Sequence, residues 1–418
     1  MTYKTGLLGG KLSHSLSPQI HKLITGNDYG LFEREESEVG DFVKNSGLGG
    51  FNVTVPHKRN VLPFLGALSD EAKRVGAVNT VVNENGVLTG YNTDVFGFIA
   101  LMEHAGIDAA GKRCVILGSG GASAAVRTAL ETLGAKEILT VSRTGALNYT
   151  NVYELKTADI LVNATPVGMY PHDGDSPLDL ARFDSLGAAV DLIYNPLRTH
   201  FTDDAQRLGI KTADGLYMLV AQAVKSCELF YKTTYPDGFI EKIYASVLSA
   251  YKNTVLIGMP GAGKNTVGRI LAEKTGREFI DTDEAITKKY GRTPEAILRE
   301  NGEAYFRKSE RETVRELSSR HGIVLATGGG AVTSPENIFQ LRKNSDVVFL
   351  DRPLCELTTE GRPLSEKYGV EKLYMERLPL YKACADVTVK AGQTPEETAE
   401  AILKSEIGDR KSEIGNRR

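Results

Sequence analysis

The sequence predicts an α/β protein of two units in series, each organised on parallel strands. Three observations carry that expectation. An apolar strand, Lys112 to Leu117, runs into Gly118-Ser119-Gly120-Gly121-Ala122-Ser123 and then a helical pattern to Leu133, closed by Gly134. A second, β-branched run, Thr254-Val255-Leu256-Ile257, leads into Gly258-Met259-Pro260-Gly261-Ala262-Gly263-Lys264-Asn265-Thr266 and a helical pattern from Val267 to Thr275. Beyond it, strands at Glu278–Asp283, Gly322–Thr327 and Asp346–Leu350 alternate with helical stretches, the pattern of a parallel sheet.

At 418 residues the chain is long enough for two or three domains, each with its own core. A hydrophobic content of 41% and a charged content of 25% are those of an ordinary globular protein. The net charge of −3 gives no reason to expect nucleic acid or an anionic membrane as partner, so small molecules are the expected ligands. No run approaches the ~18 apolar residues of a membrane-spanning helix, and Met1-Thr2-Tyr3-Lys4 does not open a signal-peptide core. Cys114, Cys227, Cys355 and Cys384 are dispersed without a C-x-x-C pair, so four reduced thiols and a cytoplasmic location are expected.

In chain order, the first unit opens on Leu7 to Pro18 and a helical pattern through Ile24. Ser17 has the chemistry of an N-cap and Pro18 that of a first helical residue. Ser15 and Ser17 share a face if the chain is extended there, so the pair serves either plain capping or a carboxylate site. The alternating run Gly50-Phe51-Asn52-Val53-Thr54-Val55 reads as a strand that Pro56 terminates, delivering Lys58 at its end. Gly76-Ala77-Val78-Asn79-Thr80 and Gly90-Tyr91-Asn92-Thr93-Asp94 place amides and a carboxylate on turns. Such residues are ordinary turn formers; taken with a lysine, they line a polyol pocket.

The loop after Leu117 is the dinucleotide fingerprint G-x-G-x-x-G with Ser123 in the third glycine's place. Its candidate contacts are Gly118, Gly120, Gly121 and Ala122. The next strand, Glu137 to Val141, ends in Ser142-Arg143-Thr144, where a bare ribose hydroxyl would call for Asp or Glu. An arginine suits a 2′-phosphate, so NADP is expected over NAD. Between Arg143 and the strand Asp159 to Asn163 the chain is short and Asn/Thr/Tyr-rich, leaving little room for a regular crossover helix. Leu216 to Lys232 and Gly238 to Tyr251 are apolar at helical spacing, and Lys252-Asn253 leads straight into the next strand with no Gly/Ser or Pro-rich tether.

The ordered segments Ser15-Leu16-Ser17-Pro18, Asn52 to Lys58, Ala77 to Thr80, Gly90 to Asp94, Gly118 to Ala122, Asn163 to Met169, Asp191 to Pro196 and Gly215 to Ala223 resemble the motif set of shikimate dehydrogenase across nearly the whole unit. The resemblance implies a substrate-binding domain at residues 1–105, completed by 215–250, with a Rossmann-like NADP-binding domain at 106–214. It implies Ser15 and Ser17 on the substrate carboxylate, with Thr54, Asn79, Tyr194 and Gln222 completing the pocket. Lys58 and Asp94 become the catalytic pair, and Met169 and Gly215 border the nicotinamide. The residue types suit the chemistry: hydride reduction of a ketone needs a proton delivered to the developing alkoxide, and an ammonium beside a carboxylate both donates and stabilises.

The second glycine-rich turn, with its lysine and following helix, is the P-loop arrangement. Its glycines let backbone N–H groups turn inward around an anion, the helix N-terminus adds partial positive charge, and Lys264 adds a full one. Gly261, Ala262, Gly263, Lys264, Asn265 and Thr266 are the expected nucleotide contacts. Asp281-Thr282-Asp283 ends a strand, Thr293-Pro294 caps a helix, and Phe306-Arg307-Lys308-Ser309-Glu310 follows Gly302. Gly328-Gly329-Gly330, Gly361-Arg362-Pro363-Leu364 and Arg377-Leu378-Pro379-Leu380-Tyr381 complete the set. These positions, over 253–404, resemble shikimate kinase. The resemblance implies Asp283 as hydroxyl partner and base, Asp281 at magnesium, and Lys264 and Arg362 on the transferring phosphoryl group. It implies Arg307 and Arg377 as a carboxylate clamp, with Gly329 and Gly330 giving backbone contacts.

Two departures stand out. Asn265 occupies the position where P-loop kinases place the Ser or Thr that ligates Mg²⁺, and the segment before Arg362 is short. The expected function is reduction of 3-dehydroshikimate with NADPH followed by phosphorylation of shikimate with ATP and Mg²⁺, the kinase having weakened Mg·ATP binding. The alternatives are a shikimate-binding module without turnover in the second unit, and quinate with NAD in the first. The repeat of Lys404–Arg410 at Lys411–Arg417 is expected to be a disordered extension spanning 405–418.

Overall fold

The structure, a computed structural model, describes residues 4–13, 15–155, 157–357 and 369–415. The chain divides between Val247 and Leu248 into two units, a division that falls inside the helix Phe239–Tyr251. No helix among the described residues is long and apolar enough to cross a membrane.

The first unit carries two sheets among its described residues. Strands β1 (Thr5–Gly9), β2 (Gly30–Glu33), β3 (Gly50–Val53), β4 (Ala67–Leu68), β5 (Thr80–Glu84) and β6 (Val87–Tyr91) form a mixed sheet in the order β2-β1-β3-β5-β6-β4. β1 pairs parallel with β2 and β3, whereas β3-β5 and β5-β6 are antiparallel. Asn85-Gly86 closes the β5–β6 hairpin with both residues left-handed, the conformation an Asn-Gly turn supplies at least cost. Leu8, Phe51, Val53 and Val81 pack with Val39, Phe42 and Val43 to form the core beneath this sheet.

The second sheet is wholly parallel, as the strand–loop–helix pattern predicts. Its strands are β7 (Arg113–Leu117), β8 (Glu137–Val141), β9 (Ile160–Asn163), β10 (Ala188–Asp191) and β11 (Lys211–Ala213), in the order β11-β10-β9-β7-β8. Cys114 and Ile116 face Phe98, Met102, Val126 and Leu130, while Val115 and Leu117 face Val141, Val152 and Phe201. Burial on both faces explains why β7 is continuously apolar rather than alternating. The crossover from β8 to β9 contains only the 3₁₀ turn Val152–Leu155 among its described residues. From β7 the chain goes to β8 on one side and later to β9 on the other, so a crevice opens at their carboxyl ends. The helices Asp94–Ala105 and Leu216–Tyr231 cross at Gly97, where a Cβ would stand 2.8 Å from Met218 O and 3.0 Å from Gln222 Cβ.

The second unit holds one parallel sheet among its described residues. β12 (Asn253–Ile257), β13 (Glu278–Asp281), β14 (Ile323–Ala326), β15 (Ser345–Asp351) and β16 (Val387–Lys390) run in the order β13-β14-β12-β15-β16. Val255, Leu325, Phe349, Tyr381 and Ile402 belong to its core.

Two local expectations are corrected. Leu16, not Ser17, is the N-cap of the helix Ser17–Thr25; Ser17 is its first residue, and Ser15 Oγ accepts the Ser17 N–H at 3.2 Å. β13 ends at Asp281, which N-caps the helix Thr282–Tyr290, so Asp283 sits in a helical first turn rather than on the strand. The last helix runs Pro395–Gly415. Glu, Lys and Ala are strong helix formers and no proline interrupts the run after Pro395.

Candidate active sites

In the first unit the β3-β5-β6 ladder brings together two side chains 36 residues apart. Lys58, on the turn after β3, donates from Nζ to Asp94 Oδ2 at 2.6 Å. The pair is largely withdrawn from solvent, with side-chain exposures of 17% and 9%. Asn79, just before β5, donates from Nδ2 to Asp94 Oδ1 at 2.9 Å, and its own Oδ1 accepts the Thr93 N–H at 2.7 Å. Each carboxylate oxygen therefore has a separate partner, which fixes the direction in which the lysine is held. Gln222 closes the group from the helix Leu216–Tyr231, its Oε1 lying 3.5 Å from Asn79 Nδ2. A buried polar layer lies behind: Ser226 Oγ accepts from Asn52 Nδ2 at 2.9 Å, lies 2.9 Å from Thr80 Oγ1, and donates to Gln222 O at 2.8 Å. Sequence reasoning assigned no role to Asn52, Thr80, Thr93 or Ser226. The available signal was a hydroxyl between Val224 and Cys227 on an apolar helix, which must find partners when buried.

Thr54 follows β3, half-buried, and its N–H donates to Leu8 O at 2.9 Å. Ser15 and Ser17 are half-buried and adjacent at the start of the first helix. Gly118 takes φ +105°, and a Cβ there would meet Ala164 O and Thr165 Cγ2 at 3.0 Å, so only glycine fits. Gly120 N-caps the helix Gly121–Thr132, with Ala122 in its first turn. A Cβ on Gly121 would lie 3.8 Å from Lys58 Cδ, so the fingerprint's helix N-terminus stands beside the Lys58–Asp94 pair. Ser142, Arg143 and Thr144 follow β8, the latter two exposed. A helix N-terminus with open glycines, and an exposed arginine at the end of the neighbouring strand, fit a phosphorylated dinucleotide. Met169 is 45% exposed on the loop after β9. Gly215 donates its N–H to Ile193 O at 3.0 Å and packs so closely on Leu192 that a Cβ would overlap the carbonyl oxygen. Tyr194 is half-buried on the same loop, and burial pushes its phenol up.

In the second unit Gly261 and Gly263 take φ +89° and +90°, and Gly263 N-caps the helix Lys264–Thr275. A Cβ on Gly263 would meet nothing within 4 Å, which leaves the helix N-terminus open to an anion. Ala262 is buried beneath the loop. Lys264 is buried and folded back, donating to Gly258 O at 2.9 Å and Met259 O at 3.0 Å. Asn265 and Thr266 are exposed on the first turn. Asn265 Nδ2 donates to Asp281 Oδ2, while Asp281 Oδ1 accepts the N–H groups of Asp283 at 2.6 Å and Glu284 at 3.0 Å. A carboxylate with an amide carbonyl beside it is a hard oxygen set that suits Mg²⁺.

Asp283 lies behind that pair. Burial, with the neighbouring Asp281 and Glu310 carboxylates, pushes its carboxyl up to about 6 against the opposing pull of Lys264 and Arg307. Glu310 is 2% exposed and accepts from Arg307 Nη1 at 2.9 Å; burial raises its carboxyl while the arginine opposes. Arg377 Nη1 donates to Gly329 O at 3.2 Å, and the Tyr381 hydroxyl donates to the same oxygen. Gly330 is packed against the Arg307 guanidinium, where a Cβ would come within 2.5 Å of Nη1. Arg307 and Arg377 line one cavity of about 400 Å³ together with Glu303, Thr333, Lys372 and Glu376. Arg362 lies outside the described residues.

An ammonium–carboxylate pair beside a dinucleotide loop, followed by a P-loop beside paired arginines, defines the class: an α/β oxidoreductase joined to a P-loop phosphotransferase. Comparison with known proteins makes it specific. Residues 7–81 match the shikimate dehydrogenase substrate binding domain, and residues 260–406 match shikimate kinase. The shikimate dehydrogenase (NADP(+)) of Caldanaerobacter subterraneus is 40% identical over 266 residues, covering 57% of this chain and 95% of its own. The crystal structure of shikimate dehydrogenase 1 from Peptoclostridium difficile is 40% identical with a TM-score of 0.55, covering 58% of this chain and 97% of that one. The shikimate 5-dehydrogenase of Thermus thermophilus, solved in complex with NADP(H) and shikimate, is 31% identical with a TM-score of 0.51, covering 58% and 98%. The chain belongs to the shikimate dehydrogenase family and carries a shikimate kinase domain on its C-terminal side.

Removing the charge next to Asp283 tests the electrostatics of the second site. Glu310→Gln takes away a repelling carboxylate and releases Arg307, so the Asp283 carboxyl should titrate below about 6. Carboxyl ¹³C shifts followed across pH measure it, and an unmoved midpoint would mean that burial and Asp281 set the value without Glu310.

Proposed function

We propose that the chain is a bifunctional enzyme that reduces 3-dehydroshikimate to shikimate with NADPH and then phosphorylates shikimate at its 3-hydroxyl with ATP. The observation that carries the reading is the Lys58–Asp94 contact at 2.6 Å, braced by Asn79 and set beside the dinucleotide loop. Family membership supplies the substrate class.

In the first unit Ser15 and Ser17 take the substrate carboxylate through their hydroxyls. Thr54, Asn79, Tyr194 and Gln222 hold the ring hydroxyls. NADPH supplies the hydride when bound. The Lys58 ammonium gives its proton to the oxygen on which charge develops, and Asp94 keeps the lysine aimed. Gly118, Gly120, Gly121 and Ala122 receive the pyrophosphate, Ser142, Arg143 and Thr144 receive the 2′-phosphate, and Met169 and Gly215 border the nicotinamide. The NADP(+) in the names of the relatives and the exposure of Arg143 support this cofactor over NAD.

In the second unit Arg307 and Arg377 clamp the carboxylate while Gly329 and Gly330 add backbone contacts. Asp283 accepts the hydrogen of the 3-hydroxyl, and its raised carboxyl suits a group that must take a proton near neutral pH. When bound, ATP would supply the phosphoryl group and Mg²⁺ would supply positive charge for its transfer. Gly261, Ala262, Gly263 and Thr266 surround the phosphates. Lys264 reaches them by leaving the carbonyls of Gly258 and Met259, and Arg362 adds charge at the transferring group. Asp281 and Asn265 would hold the metal, an amide taking the place of the usual hydroxyl. The Asn265–Asp281 contact favours a weakened kinase, because the carboxylate's outer oxygen is already engaged by a donor.

A coupled assay with 3-dehydroshikimate and NADPH, with and without MgATP, tests the whole reading by scoring shikimate and its 3-phosphate. Wild type should form both, and Lys58→Met should lower the reductase kcat by roughly 10²–10⁴-fold while the kinase rate on added shikimate stays unchanged. Shikimate formed without any 3-phosphate would reduce the second unit to a binding module. Asn265→Ser should lower the Mg²⁺ concentration needed for half-maximal phosphorylation; an unchanged requirement would remove Asn265 from the metal site.

A further inference from the structure

Two loops on the carboxyl edge of the parallel sheet of the first unit meet at one buried carboxyl, and a third is tied to them through Ile193. Asp191, the last residue of β10, is 0% exposed. Its Oδ1 accepts the Ile193 N–H at 3.0 Å and the Asn163 amide at 3.1 Å, and its Oδ2 accepts the Thr199 hydroxyl at 2.8 Å. Asn163 opens the loop after β9, whereas Ile193 and Thr199 stand at the two ends of the loop after β10. Asn163 ends β9, where its Oδ1 receives the Thr165 N–H and hydroxyl at 3.1 and 2.7 Å and its Nδ2 reaches Val167 O at 3.2 Å, shaping the turn that leads to Met169. Ile193 begins the segment that carries Tyr194. Thr199 N-caps the helix His200–Arg207, with Thr202 returning the bond.

The same loops are laced to one another. Tyr170 N–H donates to Asn195 O, and Gly215 N–H donates to Ile193 O, both at 3.0 Å. Gly168, at φ +94°, passes Thr199 so closely that a Cβ would lie 3.5 Å from Thr199 Cβ. Met169, Tyr194 and Gly215 are thus all within one or two residues of a bond that depends on Asp191.

We propose that Asp191 is a positioning residue of the dehydrogenase, its ionised carboxylate pinning the loops that carry Met169, Tyr194 and Gly215 and its protonation loosening them. The proposal rests on the functional reading above, which sets those three residues around nicotinamide and substrate. The chemistry lies in the partners, since all three donate hydrogen to the carboxyl. An ionised carboxylate accepts all of them, whereas a protonated one must place its own O–H among donors, and only the Thr199 hydroxyl can turn to accept it. Burial holds the carboxyl up to about 7; the Ile193, Thr199 and Asn163 donors oppose that shift, and the Asp214 carboxylate adds to it. The change of state therefore falls near neutral pH.

The test follows NADPH affinity by fluorescence titration, and kcat/KM for 3-dehydroshikimate, from roughly pH 6 to pH 8. In wild type both should improve several-fold as pH rises through about 7. Asp191→Asn offers Thr199 a donor, copying the protonated arrangement, so both quantities should stay flat near the wild-type low-pH level. Thr199→Val removes a donor to the charged form and should move the midpoint upward, and Thr199→Ser should restore it. An Asp191→Asn profile parallel to wild type, or a Thr199→Val midpoint that does not move, overturns the proposal. A wild type that does not reduce 3-dehydroshikimate, yet keeps the pH-dependent NADPH affinity, would refute the substrate assignment and uphold the role of Asp191.

Discussion

Parallel strand pairing forces every strand of a sheet to leave at the same edge, and the chemistry of this chain follows from that restriction. In the first unit β7, β9 and β10 end in the dinucleotide loop, in Asn163 and in Asp191, so three separate loops share one rim. In the second unit β12, β13 and β14 end in the P-loop, in Asp281 and in the glycine triplet. Helix N-termini with unpaired N–H groups collect at these rims, which makes both of them receptive to anions before any side chain is considered. The mixed sheet supplies what a parallel sheet lacks: β5 runs antiparallel between β3 and β6, so the carboxyl ends of those two strands bring Lys58 against Asp94 on either side of the start of β5.

Burying charge at such rims demands partners. Two asparagines meet that demand in different ways. Asn79 gives its amide hydrogen to one oxygen of Asp94 and leaves the other to an ammonium, so the carboxylate is neutralised and oriented together. Asn265 gives its amide hydrogen to Asp281 with no ammonium in the same contact, while Lys264 is turned back onto backbone carbonyls. The first arrangement is complete without a ligand. In the second, Asp283 and Glu310 are both raised by burial while the Arg307 guanidinium opposes the shift at each.

Much of this was legible in the chain. The two glycine-rich loops, each flanked by an apolar strand and a helix, specified both parallel sheets, because a strand buried on both faces cannot hide its composition. Residues tied to a backbone conformation, such as Gly118, Gly261 and Gly263, were readable for the same reason. What escaped depended on local competition or on distance. Ser17 is an ordinary N-cap by type, yet Leu16 takes the position and the Ser15 hydroxyl receives the Ser17 N–H. Asp281 ends its strand two residues before the run of residues suggested, because its carboxylate caps the next helix. Asn52, Thr80 and Ser226 meet only through tertiary packing, and no spacing along the chain announces them. Asp191 left one trace, a carboxylate ending the apolar strand Ala188–Val190, and its partners Asn163 and Thr199 could be known only from the fold.

The central claim is that two differently built clefts in one chain each hold the same small cyclic acid. Isothermal titration of the intact chain with shikimate, in the presence of NADP⁺ and a non-hydrolysable ATP analogue with Mg²⁺, tests it most directly. The account predicts two bound molecules per chain, one abolished by replacing Ser15 and Ser17 together and the other by replacing Arg307 and Arg377. A single bound molecule, or none, would contradict it.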